Sequence, residues 1–169
     1  PSYPLWEQIG LPLAIRKIKP DLLHCTSNTA PFWCNVPLVL TLHDIIFLEK
    51  RDGSNKSFYQ NLGWYYRRLV VPRILPKCRK VITVSEFEKD NICSKTKLRA
   101  DKVIAIHNGY SRHFRMMENY RNVVDQYVPK GTEYFFFLGN TDPKKNTKRV
   151  LKAYAQYVEQ SKSPVSLLI

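Results

Sequence analysis

Five short apolar runs punctuate the chain, each ending on polar or small residues. They are Asp21-Leu-Leu-His-Cys25, Pro37-Leu-Val-Leu-Thr-Leu42, Lys80-Val-Ile-Thr-Val84, Lys102-Val-Ile-Ala-Ile106 and Glu133-Tyr-Phe-Phe-Phe-Leu138. Continuous β-prone runs of this length read as strands buried on both faces rather than as half-solvated ones. A sixth run, Val165 to Ile169, closes the chain.

Between the runs the period changes to that of helices. Phe58, Leu62, Tyr65, Tyr66, Leu69 and Val70 recur at helical spacing and predict a core-facing stripe, with Arg67 and Arg68 beside it and Pro72 and Pro76 limiting the helix near its end. Ser85-Glu-Phe-Glu88 has the form of a capping box. Asn146 is placed to cap a further helix whose apolar face is Val150, Leu151, Tyr154, Tyr157 and Val158. Strands alternating with helices predict an α/β fold with a parallel sheet. The alternation lapses between Tyr110 and Lys130. The expected organisation is therefore one α/β unit over 1–111, a linker over 112–130 and the start of a second unit over 131–169.

Open parallel sheets bind ligands beyond the carboxyl ends of their strands. Polar residues gather at those ends here: His24, His43-Asp44, Ser85-Glu86, His107-Asn108-Gly109 and Asn140. Each has a structural explanation of its own. Ser85 serves as a helix cap, Asn108-Gly109 as a plain turn, and a strand-end histidine as a satisfied turn residue. Their recurrence at five ends favours a shared cleft. A second cluster, Gly139-Asn-Thr-Asp-Pro-Lys-Lys-Asn146, joins a strand to a helix through a loop with two lysines. Free N–H groups at a helix start and nearby ammonium groups suit a phosphate, and solvated lysines are the plain alternative. The loop is neither GxxxxGK[ST] nor GxGxxG.

Charge narrows the partners only a little. The net charge is +13, with +7 of it between residues 64 and 102 (11 basic, 4 acidic). Such a surface suits nucleic acid, anionic lipid or a phosphate-bearing substrate. Cys25, Cys34, Cys78 and Cys93 form no CxxC pair and have no histidine at zinc-finger spacing, which favours buried reduced thiols. No apolar stretch is long enough to span a bilayer, and no signal peptide opens the chain. The opening PSYPLWEQIG and the closing strand suggest a piece cut at both ends.

Four segments, PLVLTLHD (37–44), KVITVSEFEKDNI (80–92) with the Arg-rich helix before it, KVIAIHNGYSRHF (102–114) and YFFFLGNTDPKKNTKRVLKAY (134–154), resemble family 4 glycosyltransferases in order and spacing. The similarity is closest to the mannosyltransferase-like branch. It implies the GT-B architecture of two Rossmann-like domains, here a partial N-terminal (acceptor-side) domain and the start of the donor-binding domain. It also implies retaining transfer from a nucleotide-diphosphate sugar to a glycan or lipid-linked acceptor, without metal or other cofactor, by an intact enzyme larger than this chain. By position, His43 matches the catalytic histidine beside the transferred sugar. His24, Asp44, Ser85, Asn108 and Gly109 fall on the substrate side. Gly139, Asn140 and Lys145 match the loop facing the donor diphosphate, although many members carry an arginine where Asn140 stands. The implied setting is cytoplasmic, peripheral on an anionic membrane face. Two other classes stay open: a nucleic-acid-binding module built on the charge and on Trp64-Tyr-Tyr-Arg-Arg68, and a non-catalytic interaction domain on an inherited fold. No nucleic-acid-binding motif supports the first.

Overall fold

The computed structural model describes residues 2–49, 58–115, 118–140 and 145–169. The chain divides into two compact units, Pro1–Gly109 and Tyr110–Ile169.

The first unit opens with a continuous helical run: α1 (Tyr3–Leu5), a π-helical turn (Trp6–Gly10) and α2 (Leu11–Ile18). Pro12 has no N–H to offer the carbonyl one turn back, and its ring crowds that carbonyl, so the ladder widens just before it. The run stops at Lys19, which turns left-handed at φ 52°. Four parallel strands follow in spatial order β1 (Leu23–Cys25), β2 (Leu38–Thr41), β3 (Lys80–Thr83) and β4 (Val103–Ala105). Leu40 lies between Cys25 and Val81 in register, and Val81 pairs with Val103.

The strands sit where the apolar runs predict them but are shorter, and their burial is one-sided. Leu38, Leu40, Leu42, Val81 and Val103 form one core with Val70, Val71 and Ile74 of α3 (Phe58–Ile74) and Ile92 of α4 (Glu86–Thr96). The alternate positions face elsewhere: Val39 is half-buried and Ile104 is 41% exposed. The physical reason is that the helices sharing this core pack against one face only.

The inward face of α3 also differs from the expected stripe. Leu62, Tyr65 and Leu69 are about half exposed or more. The side chain of Phe58 lies outside the described residues. Tyr66 and Val70 of that stripe do point inward, joined by Val71 and Ile74, which it did not include. This helix is apolar on both flanks, so spacing alone does not choose between its two stripes. Arg68 lies 4.9 Å over the Trp64 ring, and its Nη1 donates to the carbonyls of Phe47 and Leu48. The helix runs through Pro72 and passes at Leu75 into a 3-10 turn holding Pro76.

The second unit holds a short α5 (Tyr120–Val124) and a two-stranded parallel sheet of β5 (Tyr134–Phe136) and β6 (Ser166–Leu168), joined through α6 (Thr147–Gln160). The connection is the β-α-β unit expected for a parallel pair. Tyr154 donates to the carbonyl of Val165, whose own N–H donates to the Tyr157 hydroxyl, so α6 grips the strand entry through two phenols. Strand β5 pairs with β6 and not with the first sheet.

Candidate functional site

Parallel strands in register bring their carboxyl ends to one edge, and that edge carries His43-Asp44, Ser85 and the 107–109 turn. His43 is the most firmly positioned of them. Its N–H donates to Asn28 Oδ1 at 2.7 Å, and its Nε2 lies 3.0 Å from the carbonyl of Thr26. A carbonyl can only accept, so in the neutral ring Nε2 carries the proton and Nδ1 keeps its lone pair. Asn28 adopts φ 65°, and its own N–H donates to the carbonyl of Thr41. Asparagine tolerates this left-handed backbone better than most residues. The loop after β1 is thereby stapled to the end of β2, with His43 held in the staple.

The neighbouring residues have defined partners. His24, within β1, places Nε2 2.8 Å from Thr41 Oγ1 on the adjacent strand. Asp44 Oδ1 accepts from the N–H of Ile46 and holds the turn into the 3-10 segment Ile46–Leu48. Ser85 Oγ accepts from the N–H of Glu88 at 3.1 Å and caps α4. Only half of the expected capping box forms, since the Glu88 carboxylate accepts from Asn91 instead. Asn108 and Gly109 are exposed in an irregular turn, and a Cβ at Gly109 would meet nothing within 4 Å.

In the second unit, Thr141–Lys144 of the lysine loop lie outside the described residues. What borders them is ordered by Thr147. Its hydroxyl donates to the Asn140 carbonyl at 2.6 Å and accepts from the Asn140 N–H at 3.3 Å, closing the loop at its base. The expected cap at Asn146 does not form. That residue is left-handed at φ 57°, away from the extended backbone from which a capping side chain reaches the first turn, and only its carbonyl serves the helix, accepting from Arg149 and Val150. Lys145 is exposed directly before it. Gly139 has a packing reason of its own: a Cβ there would lie 2.7 Å from Ile169 Cγ2.

A second polar constellation, unmarked by any motif, surrounds Glu7. This carboxylate is 1% exposed. Oε1 accepts from the Tyr3 hydroxyl at 2.8 Å and from Thr29 Oγ1 at 2.7 Å. Oε2 accepts from the Tyr66 hydroxyl and from Gln8 Nε2. Four donors converge on its two oxygens and satisfy a polar group that burial removes from water. Both phenols respond: burial first, and the neighbouring Glu7 next among the raising effects, lift Tyr3 and Tyr66 above the ordinary tyrosine range. A lone glutamate in PSYPLWEQIG gives no warning of this, since its partners lie up to 59 residues away.

The four cysteines are free thiols. Burial pushes Cys25 up to about 11 and Cys78 up to about 12, so both stay protonated and poorly nucleophilic near neutral pH. Among the described residues no three His, Cys, Asp or Glu side chains gather as a metal-ligand group. No described helix is long and apolar enough to cross a membrane.

Compared with known families, residues 1–113 match the model described as Glycosyltransferase Family 4. The matched span holds the whole first unit, including His43, and stops before the Gly139–Lys145 loop. Among curated proteins none matches the chain.

Proposed function

The chain belongs to glycosyltransferase family 4, and from that premise we propose that it serves a retaining transferase that moves a sugar, mannose by its branch resemblance, from a nucleotide diphosphate to a glycan or lipid-linked acceptor. The observation that carries the acceptor side is His43. Its ring is fixed by Thr26 and Asn28 so that Nδ1 remains as an acceptor for a hydroxyl. The donor side rests on the Gly139–Lys145 loop and the first turn of α6, whose N–H dipoles and ammonium group suit a diphosphate.

In the proposed step, the acceptor hydroxyl oxygen bonds to the anomeric carbon on the face the diphosphate leaves. The anomeric C–O bond breaks with its electron pair going to the diphosphate, and the hydroxyl proton passes to the departing phosphate oxygen. Lys145 and the helix N–H groups stabilise the charge that develops there. His43 orients the incoming hydroxyl. Among the described residues, no carboxylate of the first unit's strand-end edge is set up as a covalent nucleophile, since Asp44 holds a turn through Oδ1 and Glu86 pairs with Lys89, while Glu7 is saturated with donors. The nucleic-acid alternative is weakened because Arg68 is committed to Trp64 and to two carbonyls within the fold.

His43→Ala should lower transfer by roughly 100-fold while leaving nucleoside-diphosphate affinity, assigned to the second unit, unchanged. Steady-state rates and calorimetric titration of the nucleoside diphosphate on the intact protein check this. Parallel loss of both would show that His43 holds the fold rather than the acceptor.

A further inference from the structure

A cavity of about 290 Å³ opens beside the Glu7 cluster, lined in part by Tyr3, Ser27, Thr29, Gly63, Tyr66 and Arg67. We propose that this cavity is a subsite for a neutral pyranose of the acceptor, a reading that rests on His43 as the acceptor-side residue.

The polarity of the wall selects the ligand. Tyr3, Thr29 and Tyr66 each have one hydroxyl proton, and each points it at Glu7. Tyr66 already accepts from Gln8 Nε2, so the lone pairs left on this wall are those of Tyr3 and Thr29, which ask for hydroxyl donors. The Glu7 carboxylate behind them disfavours an anion, and the exposed Arg67 at the edge disfavours a cation. Leu62, which also lines the cavity and is 52% exposed, offers an apolar surface for the C–H face of a ring. A neutral polyhydroxylated ring satisfies all of these conditions.

Two further observations point the same way. Gly63 sits within α3, where glycine weakens a helix, yet packing does not require it: a Cβ there would find its nearest neighbour, Arg67 Nη1, at 3.9 Å. Its missing side chain keeps the cavity open. The loop after β1 also serves both places, because Ser27 and Thr29 line the cavity while Thr26 and Asn28 hold His43. A ring in the cavity is thereby tied to the residue that orients the reacting hydroxyl. The π-helical turn that carries Glu7 and Gln8 is a geometry found often at functional sites.

The test is amide NMR titration of the intact protein with methyl α-mannopyranoside and methyl α-glucopyranoside, with mannose 6-phosphate as the anionic arm. Saturable shifts at Ser27, Thr29 and Gly63 in roughly the millimolar range are expected for at least one neutral glycoside, and at least about tenfold weaker binding for the phosphate ester. Gly63→Leu should abolish saturation without lowering the melting temperature, and Thr29→Val should weaken it about tenfold. Shifts that never saturate, or that survive Gly63→Leu, overturn the subsite. Transfer assays separate the two readings. Glycoside binding without consumption of any nucleotide sugar would remove the transferase mechanism and leave the cavity's ligand standing. Active transfer with an unchanged acceptor KM in Gly63→Leu would do the reverse.

Discussion

Glu7→Ala should destabilise the first unit by about 3 kcal/mol or more, the largest stability effect expected of any single substitution. The carboxylate is almost fully buried and receives three hydroxyls and an amide. Removing it leaves donors from three separate segments pointing into a hole, and each unsatisfied buried donor costs about 1–3 kcal/mol. Tyr66 links the cluster to α3 and Thr29 links it to the loop after β1, so the loss spreads across the unit. Glu7→Gln keeps the shape but places an N–H against a hydroxyl donor, and it should recover only part of the stability. Urea unfolding followed by tryptophan fluorescence checks both. A change below about 1 kcal/mol for Glu7→Ala would mean that water substitutes freely for the carboxylate.

Lys145→Ala should slow transfer by roughly 30- to 1000-fold and weaken nucleoside-diphosphate binding, equivalent to about 2–4 kcal/mol of lost charge stabilisation. The backbone around Lys145 is constrained on its far side, where Asn146 delivers its carbonyl to two N–H groups and Thr147 closes the loop on Asn140. Lys145 is exposed, and among the described residues it has no hydrogen-bond or ion-pair partner. Lys148→Ala, also exposed on the first turn, is the control and should cost less than about threefold. Equal effects from the two lysines would indicate a diffuse basic surface rather than a diphosphate site. Rates and calorimetric affinities, measured at two salt concentrations, distinguish these outcomes.

The strands were legible because runs such as LVLT and KVIT are too short and too β-branched for helices, and the polar residue after each marks the turn. The Ser85 cap was legible because its partner lies three residues away. Local chemistry of this kind is written in adjacent positions. What failed was long-range or degenerate. Both faces of α3 carry apolar residues at helical spacing, and tertiary packing turns Val71 and Ile74 inward beside the expected Tyr66 and Val70 while leaving Leu62, Tyr65 and Leu69 exposed. Asn146 has the composition of a cap but a left-handed backbone, so the ordering of the loop passed to Thr147. At the candidate site, the sequence placed His43 at a strand end but could not show that Thr26 fixes its tautomer through a contact 17 residues away. Asn28, Glu7 and Thr29 carry no local signal for the same reason.

Consumption of a nucleotide-diphosphate sugar tests the proposed activity most directly. Incubation of the intact protein with a panel of such sugars and neutral oligosaccharide acceptors, followed by phosphorus and proton NMR, reads both halves of the reaction. Family membership and the Gly139–Lys145 loop predict that one donor is converted to its nucleoside diphosphate in step with a new glycoside of unchanged anomeric configuration. Donors left intact, together with tight and steeply salt-dependent polynucleotide binding, would contradict it.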